Sequence, residues 1–229
     1  MPRVARIVIP GCPHHVTQRG NNRQDVFFAD DDRRAYLRIL SQQAHRFGLG
    51  VLAYCLMTNH VHLIVTPREA SSLAKALGQA HFLYTQYINR LHGRVGHIWQ
   101  NRFFSCALDE AHLWAAICYV ERNPLRAGLV RRAWLYRWSS APEHCGIVLA
   151  EGMLETDQWE RMLRGRDWKE ALAASQDDRA ASAMRVHTQT GRPLGGDNFL
   201  SRLEATLGRR LRALPVGRPR KTAENRRNK

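Results

Sequence analysis

Two apolar runs separated by only two polar residues constrain the fold of this chain more than any other feature. The first run, residues 51–57, is apolar and partly β-branched. The second, residues 60–66, alternates between apolar and polar side chains, and Thr58-Asn59 between the runs suits a two-residue turn. We therefore predict that this stretch forms an antiparallel β-hairpin.

The second strand of this hairpin carries the triplet His60-Val61-His62. Side chains two apart on a strand point to the same face, so both imidazoles project together and Val61 projects the other way. Two imidazoles on one face are half of a metal site, and ordinary half-buried histidines are the alternative because two ligands do not complete a site. The predicted register places Met57 opposite His60 and Cys55 opposite His62. A thiol there favours softer ions, but we interpret Cys55 as a packing residue.

Apolar periodicity predicts further strands and helices on both sides of the hairpin. In chain order, with the hairpin included, they run strand, helix, strand, strand, helix, strand, helix. This order favours an α+β, ferredoxin-like fold, with a central antiparallel sheet flanked by helices, over a parallel sheet. The other predicted strands are Arg3–Ile9, continued or restarted at His14–Arg19, and Arg102–Leu108, and the predicted helices are Asp30–Phe47, Ser71 or Ser72 to Arg90, and Asp109–Asn123.

Beyond residue 138 the pattern is looser, and we expect a helical C-terminal extension. One or two helices are predicted within Thr156–Ser175 and another at Asn198–Leu211, with a glycine-rich linker at Thr188–Asn198. The chain is accordingly divided into a first domain of residues 1–145, an extension of residues 146–211, and a basic tail of residues 212–229 that we expect to be disordered.

The charge of the chain predicts a polyanionic partner. Lys and Arg number 35 against 20 Asp and Glu, which gives +15 and an isoelectric point near 10.6, so nucleic acid is the expected ligand. Residues 209–229 hold nine basic side chains and one acidic side chain, which is +8 of that total. The segment 217–221, GRPRK, resembles short basic peptides that lie in a minor groove. A solvating tail that binds any polyanion is the alternative.

The cysteine pattern and the absence of long apolar runs predict a cytoplasmic, nucleoid-associated protein. The five cysteines are odd in number, widely spaced and without a C-x-x-C pair, which indicates reduced thiols rather than a disulfide framework or a zinc ribbon. No run of apolar residues in the sequence approaches the length of a membrane span.

The predicted helix Asp109–Asn123 offers a polar pair at one edge of its apolar stripe. At 100° per residue, Tyr119 and Asn123 lie one turn apart on the same edge, where they border the sheet on which the stripe packs. His112 shares this edge but lies two turns from Tyr119, so it is a weaker candidate. The alternatives are a boundary tyrosine with a buried ring and an ordinary residue at a helix C-terminus.

Four blocks of sequence occur in order along the chain: HVTQRGNNRQDVFF, YCLMTNHVHLIVTP, GHIWQNRFFSC and AICYVERNPLRAGLV. In this order and with these gaps they resemble the REP-associated tyrosine transposases. That group belongs to the IS200-like, HUH (His, hydrophobic residue, His) single-strand transposases. The resemblance covers about residues 3–145, and the late segments FLSRLEATLGRRL and GRPRK are similar to the tails of such proteins.

The resemblance implies roles for four residues. His60 and His62 match the paired histidines, Tyr119 matches the nucleophilic tyrosine, and Asn123 matches the helix position whose amide is the third metal ligand. The implied cofactor is Mg²⁺ or Mn²⁺. The implied activity is cleavage and rejoining of single-stranded hairpin DNA, of the kind formed by repetitive extragenic palindromes, through a 5′-phosphotyrosine intermediate. We expect a monomer, with a dimer as the alternative.

Basic and polar residues outside the predicted core are the candidate DNA contacts. The loop Gly20–Gln24 suits phosphate groups or base edges, and a plain surface loop is its alternative. Two other functions stay open: a regulatory protein that binds DNA hairpins without cutting them, and a metal hydrolase of small phosphoesters, which a charge of +15 disfavours. The candidate DNA contacts are Arg19, Asn21, Asn22, Arg23, Arg102, Arg218, Arg220 and Lys221.

Overall fold

A four-stranded antiparallel sheet forms the centre of the molecule, in a computed structural model that describes residues 6–149, 152–174 and 178–213. The strands are β1 (His14–Arg19), β2 (Leu49–Met57), β3 (His60–Pro67) and β4 (Phe104–Ala107). They lie in the order β2-β3-β1-β4, and every neighbouring pair is antiparallel. With helices between β1 and β2 and between β3 and β4, this is the predicted α+β, ferredoxin-like arrangement.

Strands β2 and β3 form the predicted hairpin, with Thr58-Asn59 as the turn. Backbone pairing places Met57 opposite His60 and Cys55 opposite His62, so the register predicted from the alternation is confirmed. Every residue of β2 is buried, because helices cover both faces of the sheet.

One face of the sheet is covered by helices α1 (Asp30–Arg46) and α2 (Ser72–Leu91). The residues of β3 that face this layer are Val61, Leu63 and Val65, and all three are fully buried. Since side chains alternate along a strand, this apolar layer directs His60 and His62 to the opposite face.

The opposite face is covered by helix α3 (Glu110–Glu121), which is followed by the short helix α4 (Asn123–Arg126). The Asp109 carboxylate caps α3 by accepting a hydrogen bond of 2.9 Å from the backbone N–H of His112. Two adjacent phenylalanines at the start of β4 point to opposite faces of the sheet. Phe103, just before the strand, is buried with the α1 and α2 layer, whereas Phe104 on the other face is 42% exposed.

The C-terminal extension packs on the same face as α3. Buried Trp159, Trp168 and Met184 belong to one apolar cluster with Cys55 and Ile64 of the sheet. The extension therefore shares a core with α3, and the division into domains stays a prediction. Its helices are α6 (Thr156–Leu163), α7 (Trp168–Ala173), α8 (Asp178–Thr190) and α9 (Asp197–Leu207), and the short helix α5 (Ala141–His144) precedes it.

Two predictions of secondary structure are wrong. Residues 6–9 form no strand, and residues 3–5 lie outside the described part; both edges of β1 are already paired with β3 and β4, which leaves the preceding segment no strand to join. The linker predicted at Thr188–Asn198 begins inside α8, a helix that was not predicted. The buried stripe of α8 consists of Ala181, Met184 and Thr188, and only Met184 among them is a large apolar residue, so the apolar periodicity is weak.

The basic-tail candidates Arg218, Arg220 and Lys221 lie outside the described residues. No helix in the described part of the chain combines the length and the apolar character needed to cross a bilayer.

Candidate functional site

The two histidines of β3 lie side by side on the sheet face that α3 covers. Their ring centroids are 5.0 Å apart. On the neighbouring strand β1, Arg19 lies directly opposite His60. His15 lies on the same face of β1 as Arg19, and its ring stacks on that of His62 with centroids 5.2 Å apart. Arg19 is exposed, so a predicted DNA contact stands at the border of this histidine cluster.

Each of the two histidines uses its Nδ1 atom within the protein. His60 Nδ1 is 2.6 Å from Asn59 Oδ1, and His62 Nδ1 is 2.9 Å from His15 Nε2. The described part of the chain offers neither Nε2 atom a hydrogen-bond partner. Burial, with the charge of Arg19, lowers the pKa of His60 to about 4, and burial with neighbouring cationic groups holds the pKa of His62 well below its ordinary value. Both rings are therefore neutral at physiological pH and able to donate a lone pair.

Tyr119 approaches the histidine cluster from α3. Its ring meets His62 edge-on, with centroids 5.8 Å apart, and meets His15 in the same way at 5.7 Å. Only 3% of the residue is exposed. The structure therefore brings the predicted nucleophile against one of the two predicted metal ligands.

Asn123 is held by the backbone of α3. Pro124 has no N–H, so the carbonyl of Val120 lacks its helical donor, and the side-chain amide of Asn123 donates to that carbonyl at 3.2 Å and to the carbonyl of Tyr119 at 2.9 Å. Asn123 Oδ1 therefore points away from the helix, where it accepts a hydrogen bond of 2.8 Å from Arg126. A carbonyl oxygen has two lone pairs, so one remains for another partner.

Arg126 is a site residue that the sequence reasoning missed. Its guanidinium carbon lies 4.2 Å from the centroid of the Tyr119 ring while its Nη2 atom bonds Asn123. Its charge also contributes to the lowered pKa of His62. Arg126 thus links the tyrosine, the asparagine and the histidine cluster. The available signal was its position one turn after Asn123, which places both on one helical face.

The donor set fits a divalent cation. Among the residues that the structure describes, no three histidine, cysteine or acidic side chains could hold one metal ion together, so a site here needs a ligand of another kind, and the amide oxygen of Asn123 is the predicted one. Two imidazoles with hydrogen-bonded Nδ1 atoms and one oriented amide oxygen are the kinds of ligand that such ions accept. His112 is not part of this set, because its ring bonds Asp109 at the other end of α3, at 2.5 Å.

The polar loop predicted to contact DNA lies beside His60. Asn21 donates its backbone N–H to the carbonyl of Ile98 at 2.8 Å. The side chain of Asn59, which bonds His60 through Oδ1, donates through Nδ2 to the carbonyl of Arg23 at 3.1 Å. The loop is therefore fastened to the hairpin turn at the entrance to the histidine cluster.

Arg102 lies in a separate basic cleft along β4. The cleft has a volume of about 850 Å³, and none of the described residues that line it is acidic. Three of its arginines lie in the segment after α9, and one of them, Arg212, is paired with Glu204. The arginines of this basic cleft are Arg6, Arg102, Arg192, Arg209, Arg210 and Arg212.

The antiparallel ferredoxin-like sheet, with two histidines on one strand and a tyrosine on the helix facing them, is the arrangement that the resemblance to single-strand transposases implies. The family model of IS200-like transposases matches residues 9–123, just over half of the chain. The chain therefore belongs to the IS200-like transposase family.

Comparison with solved structures supports the same fold. A REP-associated tyrosine transposase bound to a REP hairpin is 17% identical with a TM-score of 0.56, and the alignment covers 68% of this chain and 94% of that one. A protein from Deinococcus radiodurans described as a transposase is 19% identical, covers 56% of this chain and 92% of its own, and has a TM-score of 0.37, too low to support an argument. A comparison with curated protein sequences found no significant match.

Proposed function

We propose that this protein cleaves and rejoins single-stranded DNA at hairpin sequences through a 5′-phosphotyrosine link to Tyr119. The observation that carries the proposal is the edge-on packing of Tyr119 against His62, at 5.8 Å, in a chain of the IS200-like transposase family. The Tyr119 ring packs edge-on against the neutral imidazoles of His62 and His15, with the Arg126 guanidinium beside it. This arrangement is suited to attack on a phosphodiester.

Tyr119 is the nucleophile in this proposal. Its oxygen forms a bond to phosphorus while the bond from phosphorus to the 3′ oxygen breaks, so the downstream strand stays on the enzyme and the upstream strand leaves with a free 3′-OH. The phenolic proton goes to solvent, and the leaving 3′ oxygen takes up a proton. Because the new link is also a phosphodiester, attack by another 3′-OH reverses the step without a nucleotide cofactor.

Arg126 assists that step from its position over the Tyr119 ring. A free phenol has a pKa of about 10, so at neutral pH it is almost wholly protonated. A guanidinium 4.2 Å from the ring centroid favours the negative charge that develops on the phenol oxygen and attracts the scissile phosphate. Its hydrogen bond to Asn123 keeps it there.

His60, His62 and Asn123 would hold a divalent cation, Mg²⁺ or Mn²⁺. When bound, the ion supplies a Lewis acid that offsets the charge on the phosphate oxygens. The Nδ1 hydrogen bonds of the two histidines orient their Nε2 atoms, and the bonds to the α3 backbone orient the amide oxygen of Asn123.

The hairpin DNA would reach the site past the loop at residues 21–23. Arg19 and that loop border the histidine cluster, so they would contact the strand next to the cleavage point. The basic cleft containing Arg102 would take the phosphate backbone further along the DNA. The similarly folded transposase bound to a REP hairpin supports this class of substrate. We propose that the protein acts as a monomer.

The proposal is tested by trapping the covalent intermediate. Synthetic hairpin oligonucleotides from the repetitive palindromes of the host genome, labelled at the 3′ end, are incubated with the protein and Mg²⁺ or Mn²⁺. We expect a labelled adduct that survives denaturation in the wild type and none in Tyr119→Phe. Tyr87→Phe is the matched control, because Tyr87 lies on α2 beyond the opposite face of the sheet.

Two outcomes would contradict the proposal. An adduct of equal yield in Tyr119→Phe would exclude this tyrosine as the nucleophile. A wild-type protein that binds the hairpins but gives no adduct with either ion would favour the regulatory DNA-binding function instead.

A further inference from the structure

A chain of buried hydrogen bonds connects the histidine cluster to the C-terminal extension. Thr188 of α8 lies 2.6 Å from His15 Nδ1 through its hydroxyl oxygen, and His15 Nε2 lies 2.9 Å from His62 Nδ1. Thr188 and His15 are each 1% exposed. Thr188 lies outside residues 9–123, the part of the chain that matches the family model. The extension therefore reaches His15 through the side chain of Thr188.

The donor and the acceptor in each hydrogen bond of this series follow from the position of one hydrogen, that of the Thr188 hydroxyl. A threonine hydroxyl has one hydrogen to donate, and that of Thr188 goes to the backbone carbonyl of Met184 at 2.7 Å. Only its lone pairs then face His15, so the Nδ1 atom of His15 carries a hydrogen and donates it. Cys106 Sγ, 3.3 Å from the same oxygen, is a further weak donor to it.

The ring nitrogen of His15 that carries the hydrogen determines which ring nitrogen of His62 carries one. His15 is buried and its two ring partners, Thr188 and His62, are not anions, so the ring is held neutral and has one N–H. With that N–H directed to Thr188, His15 Nε2 can only accept, and His62 Nδ1 must donate to it. A neutral His62 with its hydrogen on Nδ1 has a free lone pair on Nε2.

The opposite arrangement would disable His62 as a ligand. If Thr188 donated to His15, then His15 Nε2–H would donate to His62 Nδ1, and the hydrogen of His62 would lie on Nε2. A protonated nitrogen cannot coordinate a cation. The backbone bond of Thr188 to Met184 therefore selects between a His62 that can bind metal and one that cannot.

We propose that Thr188 and His15 are positioning residues that hold His62 in the tautomer with a free Nε2 lone pair. Helix α8 of the C-terminal extension thereby contributes a residue to the cleavage centre. This inference rests on the proposed function for its catalytic consequence. The tautomer itself can be measured without DNA or metal.

The test is nitrogen NMR of the metal-free protein with ¹⁵N-labelled histidine. In the wild type we expect a pyrrole-type signal for His62 Nδ1 and a pyridine-type signal for His62 Nε2. Thr188→Val removes the hydroxyl at nearly constant shape, so His62 should populate both tautomers. The affinity of the Thr188→Val protein for Mn²⁺, measured by calorimetry, should fall roughly 10-fold or more, as it does when hydrogen-bond partners of other metal-binding histidines are removed. Thr188→Ser keeps the hydroxyl and should restore both properties.

Thr190→Val is the matched control. Thr190 lies on the same helix and donates in the same way to the carbonyl four residues earlier, at 2.9 Å, but it is exposed. It should leave the His62 signals and Mn²⁺ affinity unchanged. An effect of Thr190→Val equal to that of Thr188→Val would assign both to general loosening of α8 and overturn the inference.

Other results would also overturn it. A wild-type His62 with its hydrogen on Nε2 contradicts the proton order directly, even if Thr188→Val fails to fold. Unchanged His62 signals in folded Thr188→Val would show that the hydroxyl has no such role. If the tautomer is as expected but no DNA adduct forms, the proposed function fails and the positioning of His62 stands.

Discussion

The fully buried Glu121 carboxylate joins α3 to the C-terminal extension, and its replacement should destabilise the protein strongly. Glu121 is 0% exposed and lies two residues after Tyr119 on α3. Its Oε1 atom accepts from the Ser140 hydroxyl at 2.5 Å and from His144 Nδ1 at 2.6 Å. Its Oε2 atom accepts from Trp168 Nε1 at 2.7 Å. One carboxylate therefore accepts from three donors in two segments, α5 with its N-cap Ser140 and α7.

The expected loss follows from these three bonds. Glu121→Gln keeps the shape but replaces one oxygen by an NH₂ group. If the NH₂ group faces Trp168, it meets the indole N–H; if it faces His144, it is accepted only when the His144 hydrogen moves to Nε2, a buried atom without a partner in the described part of the chain. A buried donor left without a partner costs about 1–3 kcal/mol, and the lost bond has a carboxylate acceptor, so we expect the free energy of unfolding to fall by about 2–3 kcal/mol.

Urea unfolding followed by tryptophan fluorescence measures this loss, because Trp159 and Trp168 both belong to the cluster around Glu121. Glu160→Gln is the matched control; its carboxylate is exposed on α6 and should change the free energy of unfolding by no more than about 0.5 kcal/mol. Equal unfolding midpoints for Glu121→Gln and Glu160→Gln would refute the reasoning.

Three further predictions concern pH, backbone packing and DNA affinity. Burial lowers the pKa of His14 from 6.5 to about 4, so the unfolded chain binds the extra proton in that window. The stability that depends on His14 should therefore fall by up to about 3 kcal/mol as the pH drops from 6.5 to 4, and the urea midpoint of His14→Gln should depend less on pH than that of the wild type. A Cβ atom on Gly20 would lie 2.1 Å from a backbone oxygen, whereas one on exposed Gly78 meets nothing within 4 Å; thermal unfolding should show Gly20→Ala destabilised by about 1–3 kcal/mol and Gly78→Ala stabilised by about 0.5–1 kcal/mol. Arg102→Gln should reduce the slope of log hairpin affinity against log salt concentration by about one, the value for one phosphate contact. Arg38→Gln, on the exposed side of α1, should leave this slope unchanged.

The parts of the site that depend on local periodicity were predictable from the sequence. Alternation along residues 60–66 was enough to place His60 and His62 on one face, and the helical repeat placed Tyr119 and Asn123 one turn apart. Both patterns repeat within a few residues, so no knowledge of distant contacts was needed. The antiparallel sheet flanked by helices also followed from the order of strands and helices along the chain.

The parts that depend on distant pairing were not predictable in this way. His15 reaches His62 because β1 pairs with β3, and this register is not visible in either segment alone. Thr188 comes from α8, whose buried stripe of Ala181, Met184 and Thr188 is too weakly apolar to predict a helix. Arg126 needed the position of its guanidinium over Tyr119, which only side-chain coordinates provide.

The most direct test of the cleavage centre is to identify the residue that carries the DNA. Trypsin cuts after Arg102 and Arg122, and the peptide 103–122 contains Tyr119 as its one tyrosine. After reaction with a hairpin oligonucleotide and nuclease trimming, mass spectrometry should find the residual 5′-nucleotide on this peptide. A nucleotide on a peptide that carries another of the six tyrosines, or on no tyrosine, would contradict the account.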